Sequence, residues 1–131
     1  MFITKESDYA VRILRELKDG EKRTVPDICD QESIPYQYAY KIIKKLEKAG
    51  LVKSYRGAGG GYRLSKNTAR ITLFDVINAV SEEALLFECL RHGHRCPMNE
   101  GGRKCRVHAE FNRVQNIILS TLKEKSLAEI L

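Results

Sequence analysis

Three cysteines, Cys89, Cys96 and Cys105, bracket a stretch with no hydrophobic period, and His108 follows the last of them by about one helical turn. Three thiolates and an imidazole converging from a loop and a helix start make a metal-site donor set. Six and eight residues separate successive cysteines, which is not the close pairing of structural zinc sites and favours an iron-sulfur centre. Pro97 keeps the loop from continuing as helix, and Arg95, Lys104 and Arg106 would offset the charge of thiolate ligands. His92 and His94 are reserve donors whose ordinary reading is solvated loop histidine. Cys29 lies among apolar neighbours and reads as a small buried hydrophobe.

The elements that must position these donors follow from periodicity. Ala10, Ile13, Leu14 and Leu17 fall at helical spacing after Thr4 and before Gly20, which predicts a helix over 5–18. A short helix follows Thr24, with Pro26 in its first turn, and runs to about Glu32. Ile34-Pro35 opens a third helix that Gly50 ends, with Ala39, Ile42, Ile43 and Leu46 as its core stripe. Two helices joined by a tight turn, the second polar and basic on its outer face, make a helix-turn-helix. Residues 51–55 and 62–64 read as strands around the run Arg56-Gly57-Ala58-Gly59-Gly60-Gly61, a hairpin that forms a wing. That run lacks the Lys-Ser/Thr ending of a nucleotide-binding loop and does not lie between a strand and a helix. Thr72 and Asp75 start a further helix bearing Leu73, Val76, Ile77 and Val80. A short apolar helix is expected at 84–90, an irregular loop at 91–104, and a long helix at 106–123 with Val107, Phe111, Val114, Ile118 and Leu122 as a dimerisation stripe. Ser126 and Glu129 form a capping box for a last turn.

The fold class is therefore mainly α with a small β-hairpin wing. A winged helix-turn-helix domain spans 1–82, a cysteine-containing helix and loop 83–105, and a dimerisation helix with its C-terminal turn 106–131. A chain of 131 residues with 43% apolar content supports one modest core. No apolar run approaches the roughly 18 residues that span a bilayer, and the charged N-terminus does not resemble a secretory signal. The expected location is the cytoplasm, with no membrane partner.

The net charge of +6 is unevenly placed. Residues 1–70 carry 15 Lys and Arg against 9 Asp and Glu, and the remainder carries 8 against 8. Within 41–66 eight basic residues face a single acid, Glu47, the footprint of a phosphate-contacting surface. Gln37, Tyr40 and Lys41 lie near the helix end that would enter a major groove and are the candidate base readers, with Tyr36 beside them. Lys44, Lys45 and Lys48 lie where phosphates flank the groove. Arg56 at the wing tip suits a minor groove, Gly57, Gly59 and Gly60 let the backbone approach, and Arg63 adds charge. Tyr38 reads as a packing residue. The alternative for the lysines is a solvated helix face.

The segment Ile34-Pro35 through Leu51-Val52, the wing Arg56-Gly57-Ala58-Gly59-Gly60-Gly61-Tyr62, the opening Ser7-Asp8-Tyr9-Ala10-Val11-Arg12 and the closing Ser126-Leu127-Ala128-Glu129-Ile130-Leu131 resemble the Rrf2 family of winged-helix regulators. That family contains the iron-sulfur regulator IscR, the nitric-oxide sensor NsrR and the cysteine-metabolism regulator CymR. The resemblance covers nearly the whole chain. It implies a homodimer held by the long helix and reading double-stranded DNA with a palindromic operator. It also implies a two-iron two-sulfur or four-iron four-sulfur cluster on Cys89, Cys96 and Cys105. The fourth ligand is His108 by the IscR pattern or Asp8 of a partner subunit by the NsrR pattern, and the choice stays open. The expected function is a sequence-specific regulator sensing iron-sulfur status, redox state or nitric oxide. A cluster-free regulator governed by thiol oxidation or a partner protein is the alternative. A small redox or metal-handling enzyme is more remote, because no acid-base or nucleophile constellation accompanies a pocket-forming pattern.

Overall fold

A computed structural model describes residues 3–81 and 85–131. Helix α1 spans Lys5–Glu16 and buries Tyr9, Ala10, Ile13 and Leu14 on one face, as their spacing requires. Helix α2, Val25–Glu32, is capped by the Thr24 hydroxyl, which accepts from Asp27 N at 3.3 Å. It ends at Ser33, whose φ of 53° is left-handed. Helix α3, Tyr36–Lys48, follows after a short turn, and its stripe of Ala39, Ile42, Ile43 and Leu46 is no more than 1% exposed.

Strands β1 (Val52–Tyr55) and β2 (Gly61–Leu64) pair antiparallel, with Val52 opposite Leu64 and Tyr55 opposite Gly61. Arg23, from the turn before α2, adds a third segment to this sheet through reciprocal bonds with Tyr62 at 2.9 and 2.8 Å. Helix α4, Leu73–Val80, opens on the box read from the sequence, with Thr72 N donating to Asp75 Oδ2 at 2.8 Å and Asp75 N donating to Thr72 Oγ1 at 3.3 Å. Helices α1 to α4 and the base of the hairpin surround one core.

Helix α5, Arg106–Glu124, packs against α4. The last turn, α6 (Leu127–Ile130), closes back on the winged-helix core. Leu127 is fully buried there, and its N–H donates to Ile71 O at 2.7 Å.

The expected helix at 84–90 does not form over its described part. Ala84 lies outside the described residues, and the rest holds a single 3₁₀ turn, Glu88–Leu90. Two tertiary contacts explain the difference. Phe87 stacks on Phe111 of α5 with ring centroids 3.9 Å apart, and Leu86 N donates to the side chain of Gln115 at 3.0 Å, which together fix the segment on α5. The loop that follows contains a second 3₁₀ turn, Pro97–Asn99.

Candidate nucleic-acid interface and cysteine loop

Burying the stripe of α3 turns Gln37, Lys41, Lys44 and Lys48 outward, all exposed, with Tyr36 and Tyr40 beside them at 55% and 46% exposure. The two tyrosine rings lean on each other at 5.8 Å. Tyr38, expected to pack, lies near the ring of Tyr9 at 6.0 Å yet is 46% exposed, as open as Tyr40.

The lysines of this helix are not equivalent. Lys45 is held within the chain, 2.7 Å from Glu6 Oε2 and 3.0 Å from the carbonyl of Val80. It ties α3 to α1 and α4, so the structure gives it a scaffolding role besides the phosphate contact expected from sequence. Lys44 pairs with Glu47 at 3.0 Å and lies over the Tyr62 ring, while Lys41 is 3.4 Å from Glu6. Glu47, the lone acid of the basic run, also accepts from Ser54 Oγ at 2.6 Å. That bond, and Lys44 after it, hold the Glu47 carboxyl below the usual carboxylate range.

Glu6 is likewise held low, first by its hydrogen bond from Lys45. A carboxyl depressed in the folded state contributes stability above its unfolded value, about 4.3, and loses it as the pH falls through the folded value. Glu6→Gln is therefore expected to destabilise the protein at neutral pH, and the gap to wild type is expected to close as urea titrations move below about pH 4. A gap of constant size from pH 7 to 3 would show that Glu6 acts through packing alone.

The wing carries its own cluster. Arg56 is exposed at the tip and has no ion pair among the described residues. Around Tyr55 gather Lys22 at 5.4 Å, Lys53 at 5.8 Å and Arg63 at 6.0 Å from the ring centre. Lys22 and Tyr55 were not singled out by sequence. Lys22 belongs to the turn before Arg23 and reaches the wing only because Arg23 joins the sheet, a pairing with no local signal.

Glycine is required at two wing positions by backbone crowding. A Cβ at Gly60 would lie 2.6 Å from the carbonyl oxygen of Tyr55, and one at Gly61 2.6 Å from that of Arg23. The glycines are thus needed to build the wing, apart from any approach to DNA.

At the other end of the molecule Cys89, Cys96 and Cys105 are free thiols of intermediate burial. Cys96 is half-buried in a run that is otherwise exposed from Arg91 to Lys104. Cys105 caps α5. Its Sγ accepts from His108 N at 3.4 Å, and its own N–H donates to Asn99 Oδ1 at 3.0 Å. This puts the Cys105 sulfur and His108 on the first turn of one helix, where the positive end of the helix dipole lies. Asp8 instead forms an exposed ion pair with Arg12 at 2.9 Å on α1. In kind and exposure the donors suit iron-sulfur ligation. Among the described residues, however, no three His, Cys, Asp or Glu side chains converge at metal-binding distance. His92 and His94 lie exposed in the loop, and Cys29 is buried, with its thiol pushed up by burial and by Asp30.

The stripe on α5 is partly covered by its own chain. Phe111 lies on Phe87, Val114, Ile118 and Leu122 are half-buried, and Lys123 sits 4.3 Å over the Phe74 ring of α4. Val107 remains 58% exposed, and Ile117, absent from the expected stripe, is 52% exposed. Among the described residues no helix is long and apolar enough to cross a membrane.

A family model described as "Rrf2: Iron-dependent Transcriptional regulator" matches residues 3–131. The HTH-type transcriptional regulator IscR of Vibrio atlanticus is 35% identical over 135 residues, covering 100% of this chain and 75% of that protein. The chain belongs to the Rrf2 family. Protein aau3 of Rhizobium meliloti is a further relative of this Rrf2 regulator, 31% identical over 99% of the chain and 84% of its own length. The Rrf2 fold is reproduced in solved structures. T. potens IscR superposes with a TM-score of 0.76 at 24% identity, covering 98% of this chain and 84% of its own. CymR of B. subtilis does so with 0.78 at 23% identity, covering 98% and 94%. The winged-helix architecture expected from the sequence stands, as does its reading as a transcriptional regulator rather than an enzyme.

Proposed function

We propose that this Rrf2 protein is a homodimeric, sequence-specific DNA-binding regulator that reads a palindromic operator through α3 and its wing and senses iron-sulfur or redox status through its cysteine loop. The observation that carries the DNA reading is the outward face of α3, where Gln37, Lys41, Lys44 and Lys48 are exposed above a fully buried stripe. Gln37 and Tyr40 are the base readers. Lys41, Lys44, Lys48 and Arg56 neutralise phosphates, and Arg63, with Lys22, flanks them on the wing.

The dimer is centred on α5. Because Phe87 and α4 already cover one flank of its stripe, the partner subunit meets the flank bearing Val107, Val114, Ile117 and Thr121, which share a side of the helix at heptad spacing. Phe111, Ile118 and Leu122 support that seam from behind. Reading a palindromic operator would require two-fold symmetry to set the two recognition helices about one DNA turn apart.

The sensing role rests on three free thiols of intermediate burial, of which Cys105 caps the same helix. Cys89, Cys96 and Cys105 would hold a two-iron or four-iron cluster, which supplies redox and nitric-oxide reactivity when bound. His108 is favoured as the fourth ligand over Asp8, since it shares a helical turn with Cys105 while Asp8 is paired with Arg12. Three free thiols of intermediate burial also support a second reading, a cluster-free switch worked by thiol oxidation. Anaerobic purification followed by an absorption spectrum and iron and sulfide analysis separates the two. The expected result is visible charge-transfer absorption with matching iron and sulfide content, as thiolate-ligated iron-sulfur centres give, that is lost in the Cys89→Ala, Cys96→Ala and Cys105→Ala variants. Colourless protein after anaerobic reconstitution would exclude the cluster and leave thiol oxidation. Operator affinity indifferent to oxidant, nitric oxide and all three substitutions would defeat both.

A further inference from the structure

Between the C-terminal end of α3, the 3₁₀ turn Thr68–Arg70 and α4 lies a cleft of about 600 Å³ whose lining includes Lys45 and Lys48 of α3 and none of the cysteine-loop donors. Leu51 and Val80, each only 4% exposed, contribute to an apolar floor. Its lining also includes four cations, Lys45, Lys48, Lys66 and Arg70, against one carboxylate, Asp75. Asp75 is committed to the cap of α4, where its Oδ2 accepts from both Thr72 N and Thr72 Oγ1 at 2.8 Å. Lys45 is committed to Glu6 and Val80. Lys48, Lys66 and Arg70 have no ion pair among the described residues.

Three cations without an ion pair among the described residues surround one concavity, repel each other and focus a positive potential into it. An anion entering the cleft would relieve that repulsion. The guanidinium fork of Arg70 matches a phosphate in two-point contact, the two ammonium groups supply point charges, and the apolar floor offers a surface for an organic moiety. The volume falls within the range of small-molecule sites, roughly 300 to 1,000 Å³.

We infer that this cleft binds phosphate carried by an anion larger than phosphate itself. The phosphate belongs either to a free phosphorylated metabolite of about nucleotide size or to the backbone of bound DNA. In the first case the site is an effector site. Lys48 belongs to both the cleft and the outer face of α3, so an occupying anion takes up a charge that DNA would otherwise use and weakens DNA binding.

ADP is the probe for the free source. It is titrated into wild type, Lys66→Ala and Arg70→Ala in the absence of DNA at 150 mM salt, followed by heteronuclear NMR, and the salt dependence of DNA affinity is measured for the same three proteins. Lys66 and Arg70 are exposed, so the variants are expected to unfold at the wild-type temperature. Saturable binding below 1 mM, with shifts confined to the end of α3 and to α4 and at least tenfold weaker binding in each variant, establishes the effector site, with ~1 mM being a modest affinity for a ligand of this size. No saturable ADP binding, with the DNA salt slope reduced by roughly 0.9 in each variant, assigns the cleft to backbone phosphates. ADP binding that the variants leave unchanged, or no effect of either kind, overturns the inference. The ADP arm does not depend on the DNA-binding reading, and a wild type that binds no DNA at all would defeat that reading while leaving this arm intact.

Discussion

Gly61→Ala is expected to cost about 3 kcal/mol of stability, roughly a 10 °C fall in melting temperature, although it adds one methyl group at the base of the wing. Gly61 has φ +142°, outside the range an L side chain adopts readily, and its added Cβ would lie 2.6 Å from Arg23 O and 2.9 Å from Arg23 C. These are backbone atoms, so no rotamer change relieves the clash. The next residue forms the bridge at issue, with Tyr62 N donating to Arg23 O at 2.8 Å and Arg23 N to Tyr62 O at 2.9 Å. Accommodating the methyl group therefore means parting Arg23 from the sheet and carrying Lys22 away from Tyr55. Gly57→Ala provides the comparison. Its φ of +94° is also left-handed, but nothing lies within 4 Å of the added carbon, so only the backbone preference is lost, about 1 kcal/mol. Urea unfolding of the two variants separates the effects. Equal losses would mean that crowding against Arg23 contributes nothing and that backbone preference alone selects glycine in this wing.

That comparison bears on how much the sequence disclosed. The glycine run announced a hairpin, but the strand segment at Arg23 that crowds Gly61 lies far away in the chain and had no signal of its own. The helices α1, α3 and α5 were legible because each carries enough turns of 3.6-residue periodicity to expose a stripe. The run 84–90 is apolar without being long, and a segment of that length does not sustain a helix against better tertiary offers. Phe87 found Phe111, and Leu86 N found Gln115. The candidate base-facing residues followed from the stripe on α3 by subtraction, since whatever is not buried there faces out. The inequality of the lysines did not follow. Lys45 and Glu6 are 39 positions apart, and only the folded chain shows one ammonium held internally, Lys44 drawn to Glu47, and Lys41 only loosely drawn to Glu6. On α5 the same limit appears in reverse, because a stripe read as awaiting a partner subunit is half-covered by the chain's own Phe87 and α4.

The inequality among cations sets the final expectation. The combined variant Lys41→Ala, Lys44→Ala, Arg56→Ala is expected to bind its operator on the order of 100-fold more weakly and to shallow the salt dependence of affinity by up to roughly 2.7, the sum for three lost phosphate contacts. Arg56 should contribute a full share, since no acid in the described chain competes for its guanidinium. Lys41 should contribute nearly as much, because its neighbour Glu6 lies at 3.4 Å and already holds Lys45 at 2.7 Å. Lys44 should contribute least. Glu47 stays ionised through its bond from Ser54 and draws Lys44 to 3.0 Å, so a phosphate gains only what the carboxylate gives up. Glu47→Gln in an otherwise wild-type chain should then raise affinity for any DNA sequence and steepen the salt slope. Gln37→Ala should behave differently again, costing about 1 to 3 kcal/mol on the operator alone while non-specific binding and the salt slope stay as they were. Electrophoretic or fluorescence titrations at four salt concentrations, on operator and on unrelated DNA, give all of these slopes. A Gln37→Ala variant that loses both kinds of DNA equally would remove α3 from base reading. A triple variant with an unchanged slope would take the phosphates away from this face altogether.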